Sequence, residues 1–494
     1  MNSSIIRYIL GQILKVEAIL MLLPCVVALI YQESEGFMYL WVVIVALVCG
    51  ILMTIKKPKN NVFYLKEGCV TTALSWILIS IVGAFPFWLT KEIPSYTDAL
   101  FETISGFTTT GASILSDVEA LSKASTFWRC FTHWIGGMGV LVFMLAIVPL
   151  SGGSNMNLMR AESPGPSVGK LVPKLKHTAR LLYVIYFSIT VLQVVFLVIG
   201  KMPVFDAMAT SFATAGTGGF GIKNDSMVSY SPYIQWVVTI FMILCGINFN
   251  AYYYILLRDF KKAFSMEEVK GYLLIIVAAT AIIFINIVDT AAGILDALRH
   301  SAFQVASIIT TTGFATVDFD LWTGTARVVI VLLMFIGACA GSTGGGIKVS
   351  RIMVLFKTIF KEFHSYIHPK SIKKVKFEGK TVEHEVIRSI NVYFITMMIL
   401  FTASVFLVAI EGRDMETTFT AVATTINNIG PGLEGVGPTQ NFASFTCFSK
   451  YVFMFDMLAG RLELFPLLIL FHPVIWKDMF VQRRAEKRLR KKNI

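Results

Sequence analysis

Apolar residues run through this chain in blocks too long for a strand or a soluble helix, separated by short polar or charged stretches. Blocks near 8–31, 38–55, 69–90, 127–149, 180–200, 233–257, 271–293, 325–360, 388–410 and 444–471 each reach the roughly 20 residues that a helix needs to cross a bilayer's hydrocarbon. The pattern predicts ten membrane-spanning helices. The first block reads as a retained span, because its apolar stretch is overlong for a secretory leader, no small-residue cleavage site follows, and a second span comes at once.

Shorter amphipathic stretches, 97–107, 205–215, 297–309 and 415–426, lie between some of these blocks. They are too short to span and too apolar for free loops, as expected of helices that enter a membrane and turn back. Each runs into a segment rich in Thr, Asn and Gly: Thr108-Thr109-Thr110-Gly111, Thr217-Gly218-Gly219-Phe220, Thr310-Thr311-Thr312-Gly313 and Asn427-Asn428-Ile429-Gly430-Pro431. Their register repeats, with Asp98, Asp206, His300 and Thr417 each thirteen residues before Gly111, Gly219, Gly313 and Gly430. Once the first two spans are set aside, the other eight group into four units of span, re-entrant helix, loop and span. The expected fold is an all-α integral membrane protein: four pseudo-repeated helix–pore-loop–helix units around one central pore, plus two extra N-terminal helices. The units divide at 1–66 for the N-terminal pair, then 67–177, 178–265, 266–385 with a broken helix, and 386–494 with a basic tail.

Composition agrees with a membrane chain: 494 residues, 55% hydrophobic and only 15% charged, with a mean hydropathy of +0.69. If ten crossings alternate sides, the side with both termini holds 33 of the 43 Lys and Arg, the opposite side nine, and the membrane one, Arg461. Cationic loops stay in the cytoplasm, so both termini are expected there. That asymmetry accounts for the net charge of +12 without nucleic acid, and directs the basic tail towards anionic lipid or a partner. Neither the seven Cys nor the seven His show metal-ligand spacing, and no phosphate-binding loop follows a soluble strand, so the sequence offers no support for an enzyme.

The four loops carry the chemistry. Glycine at 111, 219, 313 and 430 lets the backbone turn its carbonyls inward, and Thr supplies hydroxyls beside them; such rings replace an ion's hydration shell. Four helix C-termini aimed at one point add negative potential, which favours cations. A second glycine-rich segment, Gly341-Ser342-Thr343-Gly344-Gly345-Gly346-Ile347-Lys348, sits inside the 325–360 block and should break its helix. Arg461 lies within the last block, where a central charge costs about 2.5–3.5 kcal/mol on insertion scales and so is expected to face a cavity or a partner.

These residues, over nearly the whole chain, resemble the bacterial Trk/Ktr/HKT superfamily of K⁺ transporters, most closely its TrkH branch, which the extra N-terminal pair also resembles. The resemblance implies K⁺ uptake across the bacterial cytoplasmic membrane, by channel-like flux or by symport. It implies a K⁺ filter of Thr109, Thr110, Gly111, Thr217, Gly218, Gly219, Thr311, Thr312, Gly313, Asn428, Ile429 and Gly430. Gly341, Ser342, Thr343, Gly344, Gly345, Gly346 and Lys348 would form an intramembrane gating loop, and Arg461 would stand in the pore below the filter. K⁺ would be the transported ion, with no organic cofactor in the chain. The implied partners are a second copy, giving a homodimer, and a cytoplasmic ring of TrkA-like, nucleotide-binding regulatory subunits. In plant relatives a Ser at the first of these glycines goes with Na⁺ transport. Glycine in all four places favours K⁺, with a Na⁺-permeable or Na⁺-coupled transporter of the same fold as the alternative.

Overall fold

The computed structural model describes residues 1–58, 64–139, 175–474 and 477. The second half of the expected 127–149 span, most of the basic 160–180 segment and the tail after Lys477 lie outside them. The N-terminal unit is α1 (Ser3–Leu20), α2 (Leu22–Tyr31) and α3 (Gly36–Thr54). Pro24 has no N–H to bond back to the preceding turn, so the first span is interrupted at Met21 and runs on as α2. Gly11 and Gly50 let α1 and α3 cross closely, since a Cβ on either would meet the other's carbonyl oxygen at about 3 Å.

Four units follow, each opening with a long outer helix: α4 (Leu65–Leu89), α7 (Leu175–Ile199), α12 (Glu267–Ile287) and α16 (His384–Ala409). Their apolar windows are 61% buried in α4 and 28% in each of the other three. The difference is the N-terminal unit, whose buried side chains join those of α4 in one core; elsewhere the outward faces are left for lipid.

A short helix then enters the middle of each unit: α5 (Tyr96–Phe107), α8 (Val204–Ala215), α13 (Ile294–Ile309) and α17 (Met415–Ile426). All four carry an acid in the first turn, Asp98, Asp206, Asp296 and Glu416, beside the positive end of the helix dipole. An inner helix returns: α6 (Lys123–Gly137), α9 (Pro232–Gly246), α14 (Gly324–Met334) and α18 (Cys447–Arg461). Each starts from a hydroxyl cap, Ser122, Ser231, Thr323 or Thr446, whose side chain accepts the N–H three residues on. The remaining elements are α10 (Phe249–Leu256), α11 (Phe260–Ser265), α15 (Val349–Ile367), a two-stranded ribbon of β1 (Lys376–Phe377) and β2 (Lys380–Thr381), and α19 (Phe465–Leu468).

The inner helices depart from the expected spans. Only the 325–360 block was expected to break, yet the 233–257 block bends by 91° between α9 and α10, and the 444–471 block stops at Arg461 before α19. Asn248 causes the first break, because its side chain caps a fresh helix through the Asn250 N–H. At the second, Glu463 and Leu464 take positive φ of 55° and 67°. Six described helical spans are long and apolar enough to cross a bilayer, and the bent α9–α10 pair makes a seventh.

Candidate functional site

Each short helix ends four residues before its glycine, in the same way every time. Thr109, Thr217, Thr311 and Asn428 adopt left-handed φ of 54–58°. The next N–H, of Thr110, Gly218, Thr312 or Ile429, reaches back to Ser105, Ala213, Ser307 or Thr424 at 2.8–2.9 Å. This is a Schellman closure, usually made by glycine. A β-branched Thr at that φ is strained by of order 1–3 kcal/mol, and it occurs three times here, with Asn as the fourth.

The four glycines two residues on also take positive φ, 77–101°, and their missing side chains close a circle. A Cβ on Gly111 would overlap the carbonyl oxygen of Gly218, one on Gly219 that of Thr312, one on Gly313 that of Ile429, and one on Gly430 would lie 2.8 Å from that of Thr110. Each loop therefore abuts the next and the fourth returns to the first. A closed cycle of four backbones, with one carbonyl at each junction, is the kind of arrangement whose carbonyls can take the place of a cation's hydration shell.

Buried side chains brace the ring from behind. Thr108 and Thr310 hydroxyls pair with Thr110 and Thr312 at 2.8 and 2.7 Å. Asn428 donates from Nδ2 to Thr110 Oγ1 and to the Met457 carbonyl, both at 2.9 Å. His133 bridges two units, with Nδ1 2.7 Å from the Gly106 carbonyl and Nε2 accepting from the Phe220 N–H at 3.3 Å. Glu102 pairs with Arg129 at 2.6 Å, both buried. Glu102 also accepts the Ile114 N–H at 2.9 Å, and Arg129 donates to the Gly221 carbonyl at 2.9 Å. Arg129 is thus a cation buried within α6 and neutralised there by Glu102. Glu102, Arg129 and His133 were legible only as polar residues inside apolar stretches.

Beneath the ring, residues 335–348 leave α14 and return to α15 without helix. Thr311 Oγ1 accepts the Gly345 N–H at 2.6 Å, and a Cβ on Gly344 would come 3.1 Å from the Thr310 carbonyl. Thr343 donates to the Cys245 carbonyl at 3.3 Å. Ser342 hydrogen-bonds to the Cys339 carbonyl at 2.6 Å, and Gly341 accepts the Phe249 N–H at 3.0 Å. Lys348 folds back to donate to Gly344 and Gly345. Arg461 spans three units: Nη1 donates to the Thr343 carbonyl at 2.9 Å, and Nη2 to Gly136 and to Gly137, the latter at 2.9 Å. The acids close to it in sequence bond elsewhere, Glu463 to Arg351 and Asp456 to Ser404.

The family model described as TrkH, cation transport protein, matches residues 35–483. The chain belongs to the TrkH family. Its similarity to members spans the whole length: it is 36% identical to the Trk system potassium uptake protein TrkH of Salmonella typhimurium and 34% identical to that of Escherichia coli, in each case over 97% of this chain and 100% of the relative. The E. coli protein TrkG is likewise 34% identical over 97% of this chain and 100% of its own. Among solved structures, the potassium transporter TrkH from Vibrio parahaemolyticus matches with a TM-score of 0.86 and 31% identity, covering 96% of this chain and 100% of that one. This TrkH-family chain is thus a multi-pass membrane protein of a cation-transport family and not an enzyme.

Proposed function

We propose that the chain takes up K⁺ through the ring formed at Gly111, Gly219, Gly313 and Gly430, and that the Gly341–Gly346 loop with Arg461 opens and closes the path beneath it. The closed cycle of four loops supports this reading, because the glycine of each loop abuts a backbone carbonyl of the next and all four share one backbone conformation. The four short helices add the negative ends of their dipoles at the same place. The loop meets the ring at Thr311, and the Arg461 guanidinium ties the loop at Thr343 to Gly137 of the first unit. Both obstruct a cation, one sterically and one by charge. The names of the relatives, potassium uptake proteins of a Trk system, support K⁺ as the ion and partner subunits as part of the machine. The Lys and Arg distribution supports cytoplasmic termini in a bacterial inner membrane. We extend the reading to a homodimer carrying a TrkA-like, nucleotide-binding regulator on its cytoplasmic face.

The test is rubidium uptake into proteoliposomes holding the purified chain, with K⁺ or Na⁺ as competitor. K⁺ should suppress uptake and Na⁺ should leave it nearly intact. Equal suppression by both would favour the Na⁺-permeable alternative.

A further inference from the structure

One carboxylate outside both the ring and the loop holds the loop at its two ends. Glu268, in the first turn of α12, is only 3% exposed. Its Oε1 accepts the Ala340 N–H at 2.7 Å and the Ser350 N–H at 3.2 Å. Its Oε2 accepts from Asn248 Nδ2 at 3.3 Å. Ala340 immediately precedes the glycine segment and Ser350 lies just beyond it, so a single side chain staples the entry to the exit. Asn248 brings in the break between α9 and α10, whose Phe249 N–H donates to Gly341. The broken helices of two units thus meet at one buried acid.

The same helix start is tied to the β1–β2 ribbon. The Glu268 N–H donates to Glu378 Oε1 at 3.0 Å, and the Glu378 N–H donates to Glu267 Oε2 at 3.1 Å. Lys357 pairs with Glu267 and donates to the Lys376 carbonyl at 2.9 Å. Glu378 and Gly379 form the two-residue turn of the ribbon with φ of 51° and 72°. Two positive φ values mark a hairpin turn that prefers Asn or Gly at its first position. A Glu there is conformationally costly, and what it gains is the carboxylate contact with the Glu268 backbone. The ribbon is exposed apart from Phe377.

We propose that Glu268 is a positioning residue that latches the Gly341–Gly346 loop in its raised place under the ring, and that the exposed Glu378 turn is the lever by which the latch is moved. This rests on the reading of that loop as the gate. Charge-assisted hydrogen bonds to backbone N–H groups are strong enough to bias a two-state loop, and the route from ribbon to loop is an unbroken chain of them.

The experiment is rubidium uptake by the full chain alone in proteoliposomes, with monodispersity checked in detergent. Glu268→Ala should raise uptake about tenfold or more, since it removes the acceptor of the Ala340, Ser350 and Asn248 hydrogen bonds. Glu268→Gln, which keeps an acceptor for Ala340 and Ser350, should stay near wild type. Glu378→Ala, on the exposed ribbon, should raise uptake about two- to threefold. Arg461→Ala is the reference for the gate, and the double variant with Glu268→Ala should fall short of the product of the two single effects. A purely structural Glu268 would lower folded yield and uptake together. If Arg461→Ala raises uptake while monodisperse Glu268→Ala does not, the latch is overturned and the gate stands. If none of the three raises it, the gate reading falls and the latch with it. Should Glu268→Ala fail to fold, Glu378→Ala decides, and unchanged uptake overturns the lever.

Discussion

The ring and the loop beneath it are both built on glycine, and they are held in opposite ways. The ring is made four times over, each copy closed by the same backbone hydrogen bond, with its glycine against the next copy's carbonyl. The loop exists once, and the groups that hold it are largely side chains: Thr311, Arg461, Lys348 and Glu268. Repeated backbone closure fixes a geometry that no single rotamer change can alter, as a selective site requires. A loop held by a few side chains can be moved by exchanging those contacts alone, as the proposed gate would require. One region is suited to choosing the ion and the other to timing its passage.

The largest effect should come from a Cβ in the ring. Gly219→Ala adds one where the Thr312 carbonyl already sits, at a φ of 77°, and should cut rubidium uptake by about a hundredfold or more while the protein stays monodisperse. The same change at Gly430, where the nearest atom is 2.8 Å away, should be the mildest of the four. Equal losses at 219 and 430 would mean that the cycle of contacts does not set the geometry. Gly313→Ser should push out the Ile429 carbonyl and bring K⁺ and Na⁺ competition together, with uptake reduced about tenfold.

Below the ring the sign should reverse. Arg461→Ala removes the donors to Thr343, Gly136 and Gly137, and should raise uptake about tenfold without changing the order of cations. The smallest effect is expected at Asp320, in the segment between the third loop of the ring and α14. Burial raises the Asp320 carboxyl to about 6, so its negative charge is present above that pH and lost below it. At low ionic strength, uptake should fall by less than about twofold between pH 7 and 5, and Asp320→Asn should flatten that slope.

Much of the ring was legible in the sequence because its signal is periodic. A fixed thirteen-residue register and a glycine at its end locate four equivalent positions in one chain, and the short helices end at 107, 215, 309 and 426 as the apolar pattern indicates. The loops' strain was less visible: nothing in Thr109, Thr217 or Thr311 as residue types announces a left-handed backbone. The breaks in the second and fourth inner helices were also missed. Apolar residues resume on both sides of each break; Asn248 caps a fresh helix at the first, and Glu463 and Leu464 take positive φ at the second. Glu268 was hidden because it sits at the edge of a span among ordinary inter-span charges, and its main partners are backbone groups about 70 to 80 residues away.

The division between choosing and timing is tested most directly by K⁺ and Na⁺ competition against rubidium uptake, measured side by side in Gly313→Ser and Arg461→Ala. The account predicts that Gly313→Ser erases the K⁺ preference, while Arg461→Ala keeps it and only increases flux. A changed cation order in Arg461→Ala, or an unchanged one in Gly313→Ser, would contradict it.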